Sequence, residues 1–119
     1  LYDQQQFEQA LREFYQAWLK LPKPQAQYPE AGWTLAAIGD TYYKLGNYTQ
    51  AIEALKSSLF CPQGERAFTY TRLGQCCYEI DDKNQSAQHF SKAEDLDSSQ
   101  LKKLSPKYRL FIKNYRLRR

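Results

Sequence analysis

Methionine and valine are absent from this chain of 119 residues, and isoleucine occurs only at Ile38, Ile52, Ile80 and Ile112. β-branched residues are what strands favour, whereas Leu, Ala, Gln, Glu and Lys favour helices and are plentiful here, so an all-α fold is expected. No stretch approaches the roughly 18 consecutive apolar residues that a membrane span needs. No charged segment leads into an apolar one in the manner of a signal peptide either. Opening on Leu1 with no methionine anywhere, the chain is expected to be a fragment or a trimmed piece.

Residues that carry chemistry are scarce as well. The three cysteines are Cys61, Cys76 and Cys77. Their number is odd, no C-x-x-C occurs, and two neighbours in a helix are badly placed to bond each other. They are expected to be small apolar fillers in a reducing cytoplasm. The single histidine, His89, is expected on the outer face of a helix in a plain surface role. Neither the phosphate-loop pattern nor the dinucleotide glycine pattern occurs, and no Cys, His and Asp share a metal-ligand spacing. The acid pairs Asp81-Asp82 and Glu94-Asp95 fit helix caps and solvated faces. No catalytic residue, no metal site and no cofactor is expected, and an enzyme is argued against.

What the chain does have is enough apolar content, 42%, to build one core, with 25% charged residues to keep it in water. The charge is unevenly spread. Residues 1–100 hold nine Lys/Arg against thirteen Asp/Glu, a net −4, while residues 101–119 hold eight basic groups and no acid. The basicity belongs to the tail.

Apolar periodicity and punctuation place the helices. Asp3 is expected to cap a first helix near 4–20, with Gln6 reaching back. Its stripe is Phe7, Leu11, Phe14, Trp18 and Leu21, with Ala10 and Ala17 beside it. Residues 22–30 hold three prolines and are expected to form a loop. A second helix is expected over about 31–45, closed by Gly46 in a left-handed cap. Asn47 is expected to cap a third, which Cys61-Pro62 stops. A fourth covers about 65–80, and a fifth runs from the cap Asp82 to about Asp97. After a polar turn at 97–100, Ser105-Pro106 opens a last helix through about Leu117, six in all.

The helix pair at 32–62 and the pair at 67–97 are one unit written twice, offset by 35 residues. Trp33 matches Phe68, Ile38-Gly39 matches Leu73-Gly74, Tyr43 matches Tyr78, Asn47 matches Asp82 and Leu55 matches Phe90. Self-similarity at this period signals a solenoid. Leu35-x2-Ile38-Gly39-x2-Tyr42 followed by Gly46-x-Tyr48-x2-Ala51-x3-Leu55 resembles the tetratricopeptide repeat. Tyr70-x2-Leu73-Gly74-x2-Cys77 and Ser86-x3-Phe90-x2-Ala93 resemble it again, with Cys77 in place of the usual Tyr and Asp81 standing where Gly46 stood. Phe7, Ala10, Phe14, Ala17 and Pro22 match a second repeat helix whose first is missing. The resemblance implies antiparallel helix pairs stacked as a short superhelix with a C-terminal capping helix. The single domain, 1–119, then divides into a partial repeat at 4–21, repeats at 32–62 and 67–98, and a capping helix at 104–117.

It also implies a site. The first helix of each pair in such a stack lines a concave groove. The side chains offset from the packing set are Trp33, Ala37, Asp40, Tyr43 and Lys44, then Phe68, Arg72, Gln75, Tyr78 and Glu79. Aromatics with arginine among a few charges are what interface hot spots favour, although the aromatics would serve packing between repeats equally well. No acid close in sequence is placed to pair with Arg72, since Glu65 and Glu79 are each seven residues away, so a partner's carboxylate is expected there. The Lys/Asn clamp with which cochaperones hold acidic chaperone tails is missing, as Ala36-Ala37 and Thr71-Arg72 occupy its places.

The expected function is therefore a non-catalytic module binding a protein or peptide in the groove, in the cytoplasm. Arg72-Leu73-Gly74-Gln75-Cys76 and Ser105-Pro106-Lys107-Tyr108 are similar to small stand-alone bacterial proteins of this family, some of which are taken to be immunity partners of polymorphic toxins. A type III secretion chaperone is a second alternative. A third is a nucleic-acid or anionic-membrane binder acting through residues 102–119. There Lys107, Arg109, Lys113 and Arg116 sit at steps that place several on one face, and Leu104, Tyr108, Phe111, Ile112 and Tyr115 make the other. A plain sealing helix is favoured over that alternative.

Overall fold

The computed structural model describes residues 2–116. Leu1 and residues 117–119, with Leu117, Arg118 and Arg119 of the expected last helix and basic tail, lie outside the described residues, as do the side chains of Tyr2 and Arg116. Among the described residues there are seven α-helices and no strand: α1 (Tyr2–Lys20), α2 (Pro29–Leu45), α3 (Tyr48–Leu59), α4 (Ala67–Glu79), α5 (Lys83–Asp97), α6 (Ser99–Lys102) and α7 (Pro106–Arg116). From α1 to α6 each helix packs on the next, and α7 packs back on α5, so the fold is all-α.

Several helix ends differ from the sequence expectation. α1 starts at Tyr2, so Asp3 lies inside its first turn, where an acid still complements the helix dipole. α2 starts at Pro29 rather than Ala31, because a proline ring is preset for the first helical position; Tyr28 precedes it in extended backbone. Asn47 stands at the N-cap of α3, yet its side chain makes no capping bond, whereas Asp82 accepts from the Gln85 amide at 3.2 Å. The polar turn at 97–100 winds into α6, a seventh helix, after Asp97 accepts from both the amide and the hydroxyl of Ser99, at 3.1 and 2.6 Å.

The two helix pairs repeat one packing motif. A Cβ built on Gly39 would lie 2.5 Å from Leu55 Cγ, and one on Gly74 2.6 Å from Phe90 Cδ1. Only glycine lets each crossing close. The turns match too: Gly46 has φ 81°, and Asp81 takes the same left-handed conformation at φ 66°. Aspartate is among the few residues that adopt it readily.

The core runs through Ala51, Leu55, Leu73, Cys76, Phe90 and Ala93 and continues into Leu101, Tyr108 and Ile112 of α6 and α7. All three cysteines are free and buried. Burial pushes the Cys76 thiol up to about 12 and the Cys77 thiol up to about 11, with each thiolate further disfavoured by a neighbouring negative group. Both are inert fillers at neutral pH. α1 is held more loosely: Phe7, Leu11, Phe14 and Trp18 are only half-buried, and Ala17 is exposed. His89 is not a plain surface residue. It is half-buried beside Tyr70, ring centroids 6.1 Å apart, with Nε2 out of reach of solvent and without a hydrogen-bond partner.

Candidate partner-binding face

α2 and α4 carry equivalent side chains on one face because each helix was built on the same spacing. Along this face a chain of polar contacts links them to α7. Lys44 Nζ lies 3.1 Å from Asp40 Oδ2, and Arg72 Nε donates to Asp40 Oδ1 at 2.6 Å. Arg72 Nη1 donates to Gln75 Oε1 at 2.7 Å, and Gln75 Nε2 donates to the Tyr43 hydroxyl at 3.0 Å. The Tyr43 and Tyr108 hydroxyls are 3.0 Å apart, and Tyr108 donates to Glu79 Oε2 at 2.7 Å. Lys107 Nζ closes the series, also 2.7 Å from Glu79 Oε2.

Proton directions follow from donor chemistry. A guanidinium only donates, so the Gln75 amide must present its oxygen to Arg72 and its nitrogen to Tyr43. Tyr108 has one proton and gives it to Glu79, so Tyr43 must donate to Tyr108. Every bond from Arg72 to Glu79 therefore points the same way, and such chains strengthen one another by polarisation. Burial first, then the bonds to Tyr43 and Glu79, raise the Tyr108 hydroxyl pKa. Burial alone would raise Glu79 too, but hydrogen bonds from Lys107 and Tyr108 outweigh it and hold the carboxylate below its usual range.

Rings frame the cations. The Arg72 guanidinium lies 4.9 Å from the Tyr43 centroid and 5.2 Å from that of Phe68. Lys83 Nζ sits 3.6 Å from the Tyr78 centroid. Trp33 stands apart from the network, with Arg66 at 5.6 Å from its ring. It is 51% exposed and Phe68 37%, a high value for large aromatics on adjoining helices. Ala37 is half-buried and contributes its carbonyl to the Thr41 hydroxyl, 2.8 Å away.

Residues 34–59, most of α2 and all of α3, match the family model of the tetratricopeptide repeat. This chain carries a tetratricopeptide repeat. No curated protein sequence matches it. The repeat is in general a non-catalytic protein-interaction fold. Among the described residues no cluster of three His, Cys, Asp or Glu could hold a metal ion, and no helix is long and apolar enough to cross a membrane.

Six of the ten residues expected on the groove of the repeat stack meet in one network: Asp40, Tyr43, Lys44, Arg72, Gln75 and Glu79. Phe68 and Tyr78 flank it, while Trp33 and Ala37 stand outside. One expectation is corrected. Arg72 already holds a carboxylate, that of Asp40, from the repeat's first helix. A search near Arg72 in sequence misses it because the separation is 32 residues, one period less one helical turn. Lys107 and Tyr108 were also missed, having been assigned to a tail rather than to this face. Arg66 was missed too. Its position just before α4 leaves it off any helical stripe, but the fold turns it onto Trp33.

Proposed function

We propose that this protein is a non-catalytic binding module that receives a segment of another protein across the exposed ends of α2 and α4. The observation that carries the reading is the pair Trp33 and Phe68, equivalent positions in successive helix pairs, both exposed and both held in place by an arginine over the ring. Pre-ordered aromatics of this kind supply contact area at little entropic cost. The inner part of the face, from Gln75 to Glu79, is taken up by Tyr108 and Lys107, so the partner's contacts concentrate at the Trp33 end. Toxin neutralisation and secretion-chaperone work would each be a special case of this reading, told apart by the partner.

The test starts from peptides selected on the immobilised full chain from a random displayed library, then measured by titration calorimetry. Trp33→Ala and Phe68→Ala should each weaken binding by about 1–3 kcal/mol, the range of a truncated hot spot, with unchanged circular dichroism. Selected peptides that bind both variants as tightly as the parent would place the binding face elsewhere.

A further inference from the structure

Most cations on α2, α4 and α5 have partners: Lys44 and Arg72 share Asp40, and Lys83 meets Asp81 at 3.4 Å. On α7, Lys107 meets Glu79. Of the several cations that form no ion pair among the described residues, three stand together. Lys102, Arg109 and Lys113 converge on one cleft between α5, α6 and α7, are exposed, and form no ion pair among the described residues. The floor of the cleft is apolar, made by Leu101 and Ile112, and one acid, Glu94, also lines it. Three like charges around an apolar floor repel one another, and water alone leaves that repulsion only screened.

We propose that this cleft docks an acidic polypeptide segment, seating an aliphatic side chain on Leu101 and Ile112 while its carboxylates meet Lys102, Arg109 and Lys113. Charge complementarity selects an anion, and the apolar floor selects among anions. A nucleic-acid strand brings phosphates but no aliphatic group for the floor. A bilayer needs a broad outward apolar face, and among the described residues the exposed large hydrophobic residue of α7 is Leu110. The site is separate from the α2–α4 face, because Lys107 and Tyr108 turn toward Glu79 while Arg109 and Lys113 lie on the opposite flank, beside α6. It therefore goes beyond the binding reading above and can fail without it.

Fluorescence anisotropy of the full chain with three labelled probes of equal charge decides the matter: a Glu-Glu-Leu repeat peptide, a Glu-Glu-Ser repeat peptide and a single-stranded oligonucleotide. A fourth arm uses vesicles of anionic phospholipid. The leucine peptide should bind best, weaken with added salt, and lose about tenfold or more with Arg109→Glu plus Lys113→Glu, while Trp33→Ala leaves it unchanged. Both charged side chains are exposed, so the double variant should melt as the parent does. Equal binding of the serine peptide would overturn the role of the floor. Tighter binding of the oligonucleotide or vesicles would overturn the choice of partner. Unchanged affinity in the double variant, or no binding of the leucine peptide, would remove the site.

Discussion

At the scale of single residues, two small features decide how the helices meet. Gly74 faces the Phe90 ring so closely that a methyl group there would sit 2.6 Å from its edge, and Phe90 is itself fixed between Tyr108 and Phe111. A methyl there forces the ring to shift against those neighbours, so Gly74→Ala should destabilise by about 1–3 kcal/mol despite alanine's better helix propensity. Urea unfolding measures this, and a stabilised variant would mean that Phe90 has room to move. His89 is the second feature. Burial first, then nearby Lys56, lowers its pKa below the ordinary 6.5, with Asp82 opposing. Below about pH 6.5 the unfolded chain therefore binds a proton that the folded chain resists, so stability falls as pH drops from there to the folded value and not further on this account. Glu79 acts in the same direction but lower, since its depressed pKa matters only near and below the carboxylate range around 4.5. Melting temperature followed from pH 7.5 to 5.5 should decline in the parent and stay flatter in His89→Gln. Equal slopes would place the titrating group elsewhere. The sequence alone hid this residue: helical spacing put it outward, but Tyr70 from the preceding helix lies against it.

At the scale of elements, what could be read in advance depended on whether the cause was local. Helix identities followed from apolar spacing, and the pairing of α2 with α3 and of α4 with α5 followed from the 35-residue offset with its two glycines. Asp81 could be placed in Gly46's role because the same turn must be made twice, and its φ of 66° is what that role demands. Ends were less legible. Proline is a stop in one context and a first residue in another, and Pro29 is the second kind, as is Pro106. α6 is a single turn nucleated by Asp97 and Ser99, too short to leave a periodic signature, yet it buries Leu101. The network on the α2–α4 face was half legible. Repeat register brought Asp40, Tyr43, Arg72 and Gln75 to one face, whereas the arrival of Lys107 and Tyr108 depends on the path through α6, which no spacing rule encodes.

At the scale of the whole molecule, the chain measures 46 × 36 × 22 Å, and the thin dimension is about two helix diameters. A two-layer slab of this kind has ends, and each end exposes apolar surface unless an element covers it. α7 covers one. Its Tyr108 and Phe111 rings stand 5.3 Å from Tyr78 and 6.3 Å from Phe90, edge-on or tilted, and Tyr108 also completes the hydrogen-bonded chain that begins at Arg72. Removing residues 104–119 would uncover Phe90 and Tyr78 together, and would take from Glu79 both Lys107 and Tyr108, which donate to it. The apolar loss and the stranded carboxylate act in the same direction, so the shortened chain should be markedly less stable than the parent and should aggregate. Thermal unfolding and light scattering check this on chains ending at Lys103 and at Arg119. The double variant Lys107→Ala, Tyr108→Phe separates the two causes, since it keeps the ring cover and removes the donors to Glu79; it should lose stability without aggregating. A truncated chain that stays as stable and monodisperse as the parent would show that α7 seals nothing, and its basic flank would then be the reason for its presence.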